Sequence, residues 1–124
     1  MNLLLVAFGG AAGSVLRYLV GVWTLRAFGP NFPWGTITVN IIGSFVIGLL
    51  VEIVARRFNA SAELRLLLVT GFLGGFTTFS AFSLDFMVLF ERGQMMAAGG
   101  YLVASVFLAL LAVFAGLSLG RMIF

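Results

Sequence analysis

The side chains of this sequence that could do chemistry are few, and most of them lie inside long apolar stretches. Histidine and cysteine are absent. That removes the usual metal ligands, the thiolate nucleophile and the one side chain that titrates near neutrality. The hydroxyls have no partner base, so covalent catalysis has no machinery. What remains is a set of neutral donors and one deep cation. Asn40 stands among Thr36, Thr38 and Ser44, and the i, i+4 rule puts Thr36, Asn40 and Ser44 on one helix face. An amide offers two N–H donors without a charge. It can hold an anion without trapping it, or make an interhelical hydrogen bond. Arg17 lies in the middle of an apolar run, too deep to snorkel easily, so it needs an aqueous cavity, an acidic partner or backbone carbonyls.

The most informative stretch is Thr70-Gly-Phe-Leu-Gly-Gly-Phe-Thr-Thr-Phe-Ser-Ala-Phe-Ser83. Gly71, Gly74 and Gly75 weaken a helix, and Thr77, Thr78, Ser80 and Ser83 bring hydroxyls that compete for backbone bonds. The pattern predicts a helix break around Gly74 to Thr78. Carbonyls freed there could bind a cation, as at the broken spans of transporters. Phe79 and Phe82, three apart, share a face beyond the break, and Phe72, Phe76, Phe86 and Phe90 extend the aromatic pattern. Such stripes are usually packing, but a phenyl ring has a positive edge that can meet a small anion in a narrow, dry passage. Further along, Tyr101 and Ser105 share a face that Ala109 continues without a hydroxyl.

These groups must be held by membrane helices. Hydrophobic residues make up 62% of the 124 positions and charged residues only 9%, and the mean hydropathy is +1.20. A soluble domain averages about 25% charged residues. Four stretches are long and apolar enough to cross a bilayer, which takes about 20 residues: roughly 2–26, 35–55, 62–90 and 95–119. The turns between them are Phe28 to Trp34, which holds both prolines, then Asn59-Ala60-Ser61 with Ser61 as N-cap, then Glu91-Arg92-Gly93. The chain reads as a single transmembrane domain, 1–124, all-α, because lipid leaves backbone groups no other partners. Small residues recur at helical spacing (Gly9, Gly13, Gly21; Gly116, Gly120) and suit close helix packing.

The net charge is +3, from seven arginines and four acids. No basic run exceeds Arg56-Arg57, so nothing points to a nucleic-acid partner. With four spans, one side of the membrane collects Arg56, Arg57, Arg65 and Arg121 and the other Arg26 and Arg92, 4 against 2. That bias is weak enough to permit insertion in both orientations, and so an antiparallel homodimer.

Three segments resemble the Fluc (CrcB-type) family of fluoride channels: Gly13-Ser-Val-Leu-Arg17, Gly35-Thr-Ile-Thr-Val-Asn40-Ile-Ile-Gly-Ser-Phe45, and Gly71 to Ser83. The order of motifs and the four spans are also similar to that family. The resemblance implies an antiparallel, dual-topology homodimer in a prokaryotic inner membrane, with the third helix broken at the midplane. Two pores, each lined by both subunits, would export fluoride passively and give fluoride resistance. Arg17 would belong to an aqueous vestibule, Asn40 would donate to fluoride, and Phe79 and Phe82 would meet it edge-on. Ser80, Ser83, Tyr101 and Ser105 would form a polar track. The carbonyls of Gly74 and Thr77 from both copies would hold a structural Na⁺ on the two-fold axis. Asp85 stands where many relatives have Glu, and Ala109 where some have Ser.

Two other classes compete. A proton-coupled multidrug transporter needs an acid inside the first span, which carries Arg17 instead. A non-conducting assembly subunit fits the packing stripes, but not a Gly/Thr interruption flanked by inward polar groups.

Overall fold

The computed structural model describes residues 1–57 and 62–123, all helical apart from short turns. The expected N-cap Ser61 lies outside the described residues. Helix α1 (Asn2–Phe28) and α2 (Trp34–Arg57) each start and end within about two residues of the apolar stretch that dictates them. A long third stretch follows in pieces: α3 (Ala62–Arg65), a π-helical segment Leu66–Leu73, α4 (Gly74–Phe76) and α5 (Ser80–Glu91). Helix α6 (Met95–Ile123) closes the chain. Four segments, Asn2–Phe28, Trp34–Ala55, Ala62–Glu91 and Met95–Ile123, are long and apolar enough to span a membrane.

The turns have local causes. Gly29 ends α1 with φ 83° and its N–H on the Leu25 carbonyl. Gly93, with φ 78°, ends α5; its N–H reaches Phe90 and the N–H of Gln94 reaches Leu89. Both glycines supply the left-handed conformation that other residues adopt only at a cost.

Packing separates the helices into two close pairs. Helix α1 lies along the π-helical segment and α4, and α2 lies along α6. Glycine permits each approach. A Cβ on Gly13 would collide with the Phe72 carbonyl oxygen and stand 2.8 Å from the Phe76 nitrogen. One on Gly116 would collide with the Phe45 carbonyl oxygen, and one on Gly48 would sit 2.6 Å from that of Val113. The Gly9/Gly13 and Gly116/Gly120 stripes are therefore packing faces. Near one end of the α2/α6 pair, Arg121 Nε donates to Glu52 Oε1 at 2.9 Å.

Two small cores result. One joins Ile37, Phe82, Leu89, Ala98 and Tyr101, and the other Val39, Leu73 and Phe76. Phe76 stacks on Phe72, and Phe86 on Phe90, at 6.2 Å in each case, so these four rings serve packing. Much of the apolar bulk faces outward, including Phe8, Tyr18 and Trp23 on α1 and Phe107, Leu111 and Phe114 on α6. Apolar surface of that extent needs lipid or another chain to cover it.

Candidate functional site

The site is built where the third stretch leaves helical geometry. The sequence pattern places this at Gly74 to Thr78; in the structure Gly74–Phe76 are helical and residues 77–79 are not. Gly75 serves the approach of α1, since a Cβ there would stand 2.5 Å from the Gly10 carbonyl oxygen, whereas one on Gly74 would meet only the Val69 carbonyl oxygen at 3.8 Å. The threonines redirect the chain. Thr77 is extended, with φ −90° and ψ 160°, while its N–H and its hydroxyl both donate to the Leu73 carbonyl at 2.9 and 2.8 Å. Thr78 Oγ1 accepts from the Ala81 N–H at 3.2 Å and starts α5 in the manner of an N-cap.

Asn40 closes the gap from α2. Its Nδ2 donates to the Thr78 carbonyl at 3.0 Å, and its Oδ1 accepts from the Thr78 N–H at 2.9 Å. The side-chain amide thus satisfies both backbone groups of one residue, and one of its two N–H donors is left over. In a continuing helix the Thr78 N–H would reach the Gly74 carbonyl and the Ala81 N–H the Thr77 carbonyl. Both donors are diverted, to Asn40 and to Thr78 Oγ1. From α1, Arg17 Nε donates to the Gly75 carbonyl at 3.0 Å, which is the backbone-carbonyl alternative for this deep cation.

A cleft of about 450 Å³ opens beside this junction. It brings together Asn40, Phe79, Phe82, Ser105, Gly74 and Thr77 from the sequence-derived set, with Ser44 and Thr78. The two phenylalanines differ sharply: Phe79 is 77% exposed and Phe82 only 8%, their centroids 5.6 Å apart. Ser105 Oγ is buried with no hydrogen-bond partner among the described residues. Ala109 also lines the cleft.

Arg17, Ser80, Ser83 and Tyr101 are not brought to this cleft. Ser80 is exposed, 3.5 Å from Thr78 Oγ1. Ser83 donates to the Phe79 carbonyl at 3.0 Å, one turn back on its own helix. Tyr101 is completely buried, packed on Phe82 at 5.2 Å and edge-on to Phe32 at 5.4 Å. Its hydroxyl donates to Asp85 Oδ2 at 3.2 Å. Asp85 in turn lines a second cavity of about 300 Å³, with Thr24, Asn31, Trp34 and Arg92. Phe82 thus lines the first cavity, and the Tyr101 packed on it is bonded to a residue that lines the second. Sequence reasoning placed Thr78 in the interruption as a competing hydroxyl but missed its pairing with Asn40 and its acceptance of the Ala81 amide, and it missed the pairing of Asp85 with Tyr101, which no local spacing announces.

Four segments long and apolar enough to span a membrane, with two clefts between them that carry neutral donors and phenyl rings, describe an all-helical membrane protein. The chain belongs to the CrcB family: the family model "CrcB-like protein, Camphor Resistance (CrcB)" matches residues 4–117. It is 66% identical over 124 residues to a protein of Agrobacterium fabrum, covering all of this chain and 99% of the relative. It is 69% identical over 118 residues to one of Rhizobium leguminosarum bv. trifolii, covering 95% and 94%. It is 55% identical over 120 residues to one of Mesorhizobium japonicum, covering 97% and 96%. All three are named fluoride-specific ion channel FluC, which describes an ion channel and not an enzyme.

Proposed function

We propose that this chain is a fluoride-selective channel that lets fluoride leave the cell passively across a prokaryotic inner membrane. The names of its full-length relatives support this, and the observation that carries it to this chain is the cleft where Asn40, Phe79, Phe82 and Ser105 converge. Fluoride is small and strongly hydrated, so its passage needs donors to replace water, and donors too strong would hold it. Asn40 keeps one uncharged N–H free of Thr78, Ser105 keeps an unpartnered hydroxyl, and phenyl edges add weak positive potential. A weak acid enters a cell neutral, ionises inside, and its anion is driven out by the inside-negative potential.

On this reading two copies insert in opposite orientations. The outward apolar faces and the exposed Phe79 suit a second chain, and each pore is completed by both copies. Arg17 draws the anion toward the vestibule, and Tyr101, with Ser80 and Ser83, continues the polar track. The interruption at 77–79 sits at the bilayer midplane, where the Gly74 and Thr77 carbonyls of both copies hold one Na⁺. Their fit to a monovalent cation rests on the diverted Thr78 and Ala81 amides, which leave two neutral oxygens short of their helical donors. When bound, the cation supplies positive charge that offsets the cost of bringing an anion to mid-membrane.

The cellular test is growth. A fluoride-hypersensitive bacterium lacking its own exporter should grow in fluoride when it expresses this chain. Equal sensitivity with and without the chain, at verified membrane expression, would contradict the proposal.

A further inference from the structure

Asn40 makes three separate uses of one side chain, and together they connect two sites. Its Oδ1 takes the Thr78 N–H at 2.9 Å, which takes away from the Gly74 carbonyl the donor that a helix would supply. Its Nδ2 holds the Thr78 carbonyl at 3.0 Å, which fixes the extended link that turns the Thr77 carbonyl out of the helical line. The remaining Nδ2 hydrogen belongs to a group that lines the cleft with Phe79, Phe82 and Ser105. The amide cannot rotate to serve the cleft better without releasing Thr78, because both of its polar atoms are engaged there.

We infer that Asn40 is a positioning residue for the cation site as well as an anion donor, so that cation and anion occupancy promote each other through the Asn40–Thr78 clamp. The inference rests on the channel reading above. With Thr78 clamped, Gly74 and Thr77 present carbonyls to a cation, and the third Asn40 donor has a fixed direction. With Thr78 released, its N–H can return to Gly74 and close the helix, and the amide is free to turn. A ligand of either site that prefers the clamped state shifts the equilibrium for the other, and the linkage is reciprocal. Asn40 would then contribute to two functions through one geometry, and its variants can tell those functions apart.

The test uses the full-length dimer in detergent, with Na⁺ titrated against a bulky organic cation and binding read as the rise in unfolding temperature. Replacing Asn40 by Ala removes the acceptor for Thr78; replacing it by Asp keeps an acceptor oxygen while removing the donors. Asn40→Ala, which loses both bonds to Thr78, is expected to raise half-saturating Na⁺ about tenfold, within the usual range of such couplings, whereas Asn40→Asp, which keeps the acceptor for the Thr78 N–H but loses the bond to its carbonyl, raises it by less. Both lose fluoride flux. A residue that only contacts the anion would leave Na⁺ binding unchanged in both variants, and that result overturns the proposal. Should Asn40→Ala fail to fold, the parent protein decides: replacing chloride by fluoride lowers half-saturating Na⁺ about tenfold if the sites are linked, and an unchanged value overturns the linkage. A parent protein whose unfolding temperature ignores Na⁺ entirely overturns the cation-site reading itself.

Discussion

Gly10 and Gly13 lie on the same helix one turn apart, and alanine at the two positions should have opposite effects. In a helix interior, Gly→Ala gains about 1 kcal/mol from reduced unfolded-state freedom and better propensity. At Gly10 nothing opposes that gain, since the new methyl would meet only the Gly71 carbonyl oxygen at 3.9 Å. At Gly13 the methyl would collide with the Phe72 carbonyl oxygen and stand 2.8 Å from the Phe76 nitrogen. Those are backbone atoms and cannot rotate aside, so the upper part of the usual overpacking range applies, about 3 kcal/mol. Gly13→Ala should therefore lose about 2 kcal/mol while Gly10→Ala gains about 1, a separation of about 3 kcal/mol and roughly a hundredfold in the folding equilibrium. Reversible unfolding in mixed detergent micelles measures both. The displaced α1 would also draw Arg17 from the Gly75 carbonyl, so fluoride efflux from liposomes should fall in Gly13→Ala and persist in Gly10→Ala. A Gly13→Ala protein as stable as Gly10→Ala would refute this account of the α1 interface.

Other substitutions test the site. Asn40→Asp should abolish fluoride flux, because a carboxylate removes the donors and adds like charge in a low-dielectric site; undiminished flux would remove Asn40 from the pore. Phe82→Ala, at a position only 8% exposed, should cost about 3–5 kcal/mol, whereas Phe79→Ala, 77% exposed, should change the stability of the single chain by less than about 0.5 kcal/mol yet still lower flux; equal destabilisation would contradict the packing described. Tyr101→Phe should cost about 1–2 kcal/mol by deleting the hydrogen bond to Asp85, read from the same unfolding curves, with no loss at all counting against that bond. Labelling of a C-terminal tag in spheroplasts should find it on both sides of the membrane, and a single orientation would rule out an antiparallel dimer.

Length and hydropathy made the membrane helices legible, because a bilayer allows few alternatives to a long apolar helix. Asn40 was legible for a similar reason: an amide in an apolar span demands a partner. That the partner is Thr78, 38 residues away, depends on how α2 packs, which spacing along the chain does not encode. The glycines show the opposite failure. Gly74 and Gly75 read as helix breakers, yet both remain helical; Gly75 is where α1 needs a bare backbone, and the departure falls on Thr77 and Thr78, whose side chains offer the backbone other bonds. The π-helical stretch Leu66–Leu73 has no composition of its own; it runs where α1 lies against the chain. Phe79 and Phe82 share a face in sequence, but burial divides them, because Phe82 packs into the core with Ile37, Leu89, Ala98 and Tyr101.

Efflux of fluoride and of chloride from liposomes holding the purified chain tests the central claim most directly. An ion-specific electrode follows each anion after valinomycin sets the potential, with protein-free liposomes as the baseline. The account predicts rapid fluoride efflux that saturates with protein density and chloride efflux indistinguishable from the baseline. Fluoride retained as in empty liposomes, or chloride released as fast as fluoride, would contradict it.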